Sequence, residues 1–95
     1  MIELYELRQL QAFADTGTLS DAAESLHLSQ PALSRNMKKL EEELEIPIFE
    51  RSKNKLSLND NGLYVLDLAR SLLTDADSLI VKARDYDRKN RTVTL

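Results

Sequence analysis

A mainly α-helical chain, interrupted once by a short β-hairpin and ending in one long helix, follows from three observations on the sequence. Glycine and proline are scarce, two of each in 95 residues, so little breaks a helix. Apolar residues recur every three or four positions through four separate segments, the period of an amphipathic helix. Between the third and fourth segments the period fails over a stretch that begins at Pro47 and is polar and basic at its centre.

The first segment carries Leu4, Leu7, Leu10, Phe13 and Ala14 on one face and runs from Leu4 to about Asp15. Thr16-Gly17 stops it, because glycine enters the left-handed C-cap conformation without a Cβ clash. The second opens at Thr18, whose hydroxyl can accept a backbone N–H while Asp21 reaches back in a short variant of the capping box. It turns Leu19, Ala22, Ala23 and Leu26 inward, and the alanine pair lets another helix approach closely. After the connection His27-Leu28-Ser29, Ser29 is the N-cap of the third helix and Pro31 lies in its first turn, where a missing N–H is harmless. Leu33, Met37, Leu40 and Leu44 make its inner stripe; Gln30, Pro31, Ser34, Arg35 and Lys38 fall on the opposite face. The run Glu41 to Glu45 reads as a solvated face.

Ile48-Phe49 and Leu56-Ser57-Leu58 read as two short strands around the basic turn Arg51 to Lys55. Asn59 is a suitable N-cap for the last helix, with Asp60 favourable at its positive end. From Asn61 to about Lys89 nothing stops that helix, which at 1.5 Å per residue is roughly 40 Å long, more than so small a body can cover. Val65, Ala69, Leu72, Ala76, Leu79 and Ala83 step by four and three, and Leu66, Leu73 and Ile80 form a second row spaced by seven. This is a coiled-coil seam with a flanking stripe, a dimerisation surface; the competing reading is that these leucines fold back on the small domain. Thr92 to Leu95 alternate like the opening of a strand.

Composition narrows the function. No apolar run reaches the ~20 residues of a membrane span, the N-terminus lacks a secretion signal, and the chain reads as cytoplasmic. Without cysteine, and with His27 as the only histidine, no metal set can be assembled, and His27 is a turn residue. No nucleophile–base pair and no phosphate-cradling glycine loop is present, so an enzyme is the weakest reading and no cofactor is expected. The net charge of −3 argues against nucleic acid, but position outweighs the sum. Arg35, Lys38 and Lys39 form one basic cluster and Arg51, Lys53 and Lys55 another, and salt screens the distant acids.

Two helices joined by a three-residue turn, the second polar and basic outside, make a helix-turn-helix, and the hairpin after it makes a wing. A major groove about 12 Å wide admits one such helix. Gln30 can pair with adenine, Arg35 with guanine, Ser34 with a base or phosphate, and Pro31 can meet a thymine methyl. Lys38 and Lys39 are placed for phosphates, and Arg51, Lys53 or Lys55 for the adjacent backbone or minor groove. The competing reading is a protein-interaction module that never meets DNA. The net negative charge favours it; the polar, basic outer face of the third helix opposes it.

From Leu7 to Gly62 the chain resembles the N-terminal domain of LysR-type transcriptional regulators. The likeness is most specific in AAESLHLSQPALSRNMKKLEEEL, in the IFER that follows and in the Leu56, Leu58, Gly62 element. The resemblance implies DNA contacts at Gln30, Pro31, Ser34 and Arg35, wing contacts at Arg51 and Lys53, and an antiparallel homodimer through the linker helix. It also implies a C-terminal domain that binds a small effector, and assembly as dimers of dimers on imperfect palindromes. On that reading residues 1–58 are the DNA-binding domain, 59–90 the linker helix and 91–95 the start of the effector domain. The sequence departs from the family pattern at Glu45, where glycine usually ends the third helix, and at Asn59, where threonine is usual.

Overall fold

The computed structural model describes residues 1–93, in the order α1 (Leu4–Thr16), α2 (Leu19–Leu26), α3 (Gln30–Leu44), β1 (Phe49–Ser52), β2 (Lys55–Leu58) and α4 (Asp60–Val93). The helices begin and end where local chemistry sets them. Glu6 Oε1 accepts from the Glu3 N–H at 2.8 Å ahead of α1, and Gly17 closes that helix at φ 91°. Thr18 Oγ1 accepts from Asp21 N at 3.0 Å and Ser29 Oγ from Ala32 N at 3.2 Å, each satisfying an N–H that the helix itself cannot. The reciprocal bond expected from the Asp21 carboxylate is not among the hydrogen bonds of the described residues; aspartate is one methylene shorter than the glutamate that usually makes it. Asn59 Oδ1 caps α4 by accepting from Gly62 N at 2.8 Å.

The core forms where α1, α2 and α3 meet the start of α4. Leu10, Leu33, Leu40, Ile48 and Ala22 are fully enclosed, with Leu7, Phe13, Ala23, Met37, Ala69 and Leu73 nearly so. Fully burying a leucine contributes about 1.5–3 kcal/mol, so this cluster supplies most of the driving force. Helix α4 lies antiparallel to α1, as two exposed ion pairs show: Arg8 with Asp77 at 2.7 Å and Arg70 with Asp15 at 2.8 Å. Exposed pairs of this kind contribute little. Burial of Ala69 and Leu73 is what fastens the helix.

Several expectations change. The polar turn of the hairpin is shorter than its composition suggested. The strands pair Phe49 with Leu58, Arg51 with Leu56 and Ser52 with Lys55, so Arg51, Ser52 and Lys55 belong to the ladder. Only Lys53 and Asn54 turn, at φ 52° and 63°. Positive φ at both central residues is what a two-residue type I′ hairpin requires, and it matches the twist of the flanking strands. Ile48 precedes β1 and is core. At the far end, α4 continues through Val93, so Thr92 and Val93 lie on a helix and do not open a strand; Thr94 and Leu95 lie outside the described residues.

Glu45 ends α3 in the left-handed conformation, at φ 60° and ψ 25°, with its N–H shared between the Glu41 and Glu42 carbonyls. A left-handed non-glycine residue costs about 1–2 kcal/mol. The helix therefore ends in the left-handed turn that glycine favours, and the strain is accepted. The acidic run that Glu45 ends is not all solvated. Glu41 is half-buried and its Oε2 accepts from Ile48 N at 2.8 Å and Phe49 N at 3.1 Å, tying the entry of β1 to α3. Glu43 is likewise half-buried, 3.2 Å from the Met1 amine.

Candidate nucleic-acid interface

The geometry of the interface starts from the inner stripe of α3. With Leu33, Met37 and Leu40 buried, the helix has no rotational freedom, and Gln30, Pro31, Ser34, Arg35, Lys38 and Lys39 are all exposed. Pro31, Ser34, Arg35 and Lys38 share one face at the spacing of successive helical turns. Gln30 sits at the helix start and Lys39 to the side. A second tether joins α3 to α1: Asn36 Nδ2 donates to Gln9 Oε1 at 3.0 Å in a part-buried pair.

The wing stands against this helix because its inward side chains are apolar. Phe49 meets Phe13 edge-on, with ring centroids 5.5 Å apart, and Leu56 and Leu58 pack on the core. Strand alternation puts Arg51 on the same face as Phe49. Arg51 therefore lines two adjoining grooves, one with Ser34, Lys38 and Glu41, the other with Gln30, Asn54 and Lys55. The structure thus brings Gln30, Ser34 and Lys38 together with Arg51 and Lys55. Lys53 is at the hairpin tip, and Pro31, Arg35 and Lys39 line neither of these grooves. Thr18, Leu19 and Ser20, at the start of α2, line the second groove too. The sequence marks Thr18 as a helix start and Leu19 as an inward residue; their nearness to the wing is a tertiary fact with no local signal.

His27 closes α2 at φ 58° and is exposed, a turn residue in a strained conformation. Among the described residues no three histidine, cysteine or acidic side chains come together as a metal site, and no helix is long and apolar enough to cross a membrane.

On α4 the seam residues separate into two groups. Ala69 and Leu73 are buried within the chain, and Val65, Leu66 and Ala76 are half-buried. Leu72, Leu79, Ile80 and Ala83 are exposed, Leu79 by 67%. Of the flanking stripe, Leu66 and Leu73 are thus packed on the chain's own body, as is Ala69 of the seam, while Ile80 stays exposed.

A three-helix body with a two-stranded wing, the outer face of its third helix basic and open, is a winged helix-turn-helix of the DNA-binding class. The family description "Bacterial regulatory helix-turn-helix protein, lysR family" matches residues 4–63, and the chain belongs to that family. It is a DNA-binding domain of a LysR-type transcriptional regulator. It is 36% identical over 90 residues to an uncharacterised HTH-type transcriptional regulator, YbhD, of Escherichia coli K12, covering 92% of this chain and 28% of that protein. With a probable RuBisCO transcriptional regulator of Phaeodactylum tricornutum it shares 43% identity over 93 residues, 95% of this chain and 30% of that protein. Its fold superposes on the crystal structure of the CbnR_DBD–DNA complex with a TM-score of 0.84 at 33% identity, covering 90% of this chain and 98% of that one. The chain spans less than a third of the length of these two curated relatives.

Proposed function

We propose that this domain reads a palindromic operator as a homodimer, with α3 in the major groove and the wing on the adjacent backbone or minor groove. The observation that carries the reading is the exposed polar face of α3, set by its buried inner stripe and continued by Arg51 and Lys55 of the wing. Gln30, Pro31, Ser34 and Arg35 face base edges; Lys38, Lys39, Arg51, Lys53 and Lys55 face phosphates. The likeness to a domain solved on DNA supports this assignment.

The dimer rests on α4. Its seam has Ala69, Ala76 and Ala83 in one row and Val65, Leu72 and Leu79 in the other; Ala69 is covered within the chain, and the rows open outward from Leu72 on. Two such helices lying parallel would set alanine against alanine and leave gaps. Antiparallel, each large residue meets an alanine, and the layers fill. In the whole protein, residues 1–58 bind DNA and 59–90 join the subunits. A C-terminal domain reached through 91–95 takes a small effector, two dimers share one site, and the protein acts in the cytoplasm.

Selection of duplexes from a random pool at near-physiological salt tests the reading. Enrichment of an inverted repeat is expected; salt-sensitive binding with no enriched sequence would refute specific recognition by this domain. Arg35→Ala is expected to cost about 1–3 kcal/mol of specific affinity and relax one base position, read by titrating point-mutated duplexes. An unchanged base preference would remove Arg35 from the readout. Leu72→Lys is expected to give a folded monomer by sedimentation and circular dichroism, because Leu72 is half exposed in the single chain and its loss opens no core. An intact dimer would show that the seam lies elsewhere.

A further inference from the structure

An apolar groove opens where α1 begins, α3 ends and α4 leaves the body. Ile2, Leu4, Leu44, Val65, Leu68 and Ala69 line it, and it encloses about 380 Å³. Leu4 and Leu68 are 44% and 54% exposed there. Contiguous exposed apolar surface of this kind marks a contact site. Half-buried Val65 also belongs to the seam of α4 and buried Ala69 is the floor beneath it, so the groove is the seam's first layer widened by residues of the body.

What covers it follows from the charges beside the seam, granted the antiparallel homodimer proposed above. A seven-residue repeat leaves two neighbouring antiparallel registers open. In one, Ala76 faces Leu72 of the partner subunit and Asp75 faces Asp75 of the partner subunit across the two-fold axis. In the other, Ala83 faces Leu72 of the partner subunit, and Tyr86 of the partner subunit comes level with Ala69, over the mouth of the groove. There Asp75 lies across from Lys82 of the partner subunit, and the pair occurs twice. Among the described residues neither Asp75 nor Lys82 takes part in an ion pair within the chain. Each exposed pair is a small gain, but the first register replaces attraction with repulsion, so the charges favour the second.

We propose that the groove receives Tyr86 of the partner subunit, in the antiparallel register that sets Asp75 against Lys82. Tyr86 continues the row Val65, Leu72, Leu79 at the same seven-residue step and is 72% exposed in the single chain. Its ring is apolar enough for the groove, while its hydroxyl stays at the rim. Each DNA-binding body is then held by the far end of its partner's helix as well as by its own, which fixes the separation of the two α3 helices.

The chain contains no cysteine, so introduced pairs report without background. Sedimentation of the unaltered chain comes first: a monomer would remove the dimer reading itself. Given a dimer, equimolar Leu72→Cys and Ala83→Cys chains, mixed under mild oxidation, are expected to join as a disulfide heterodimer, and Leu72→Cys with Ala76→Cys far less. Preferential joining of 72 with 76, or equal joining in both mixtures, would overturn the register while leaving the dimer standing. Tyr86→Ala is expected to raise the dimer dissociation constant roughly tenfold, as for an aromatic anchor in a pocket. An unchanged constant would mean that something else fills the groove.

Discussion

Replacing Gly62 with alanine is expected to cost about 3 kcal/mol of stability, read as a fall in the urea midpoint, although alanine is the better helix former. Gly62 is buried in the first turn of α4, against the hairpin. A Cβ there would overlap the Ile48 carbonyl oxygen and press on Leu58 at 3.0 Å. That carbonyl is backbone and already accepts from Asn59 N at 3.0 Å, so no rotamer relieves the overlap. Alanine gains about 1 kcal/mol in helix propensity. Overpacking costs typically 1–3 kcal/mol and more where only backbone can move, which outweighs that gain. The shift would fall on the junction that seats the wing, so DNA affinity should drop along with the midpoint. A midpoint equal to or above that of the unaltered chain would show that α4 can move off Ile48 freely.

The same junction shows where the sequence was readable and where it was not. Repetition made the helices legible: Leu7, Leu10 and Phe13, or Leu33, Met37 and Leu40, each declare a buried face by period alone, and Thr18, Ser29 and Asn59 declare starts by their side chains. The outward residues of α3 follow by subtraction. Buried polar residues give no such signal. Glu6 is completely enclosed and Gln9 nearly so, yet no apolar period marks them, because what places them is a particular partner, the Glu3 N–H and the Asn36 amide. Hairpin boundaries failed for a related reason. Arg51 and Lys55 have turn-like composition, and only pairing with Leu56 and Ser52 reveals them as strand. In α4 one pattern served two tasks. The sequence showed two apolar rows, but only packing shows that Leu66 and Leu73 belong to the chain's own body.

Glu41 was hidden in this way within a run of acids, and removing it should be nearly as damaging as crowding Gly62. Its carboxylate accepts two backbone N–H groups, from Ile48 and Phe49, at the point where the chain leaves α3 and enters the wing. Hydrogen bonds to a charged acceptor contribute about 1.5–3 kcal/mol each, and an N–H left unpaired beside the enclosed Ile48 adds a desolvation cost. Glu41→Ala is therefore expected to lose on the order of 3 kcal/mol in urea, with the two bonds short of additive because they share one oxygen. Glu41→Gln keeps an acceptor of the same reach and gives up only the charge, for a loss of about 1 kcal/mol. The functional consequence separates this from simple destabilisation. Arg51 is two residues beyond Phe49, so a wing released from α3 no longer holds Arg51 beside Ser34 and Lys38. Under conditions where Glu41→Ala is still folded, its DNA affinity should fall and its log–log salt slope should shrink by about 0.9 for each phosphate the wing no longer reaches. Glu41→Gln should keep the slope. Equal stability losses in the two variants would mean that the negative charge, and not the acceptor geometry, holds the wing. An unchanged slope in Glu41→Ala would mean that the wing keeps its place on DNA without this tether.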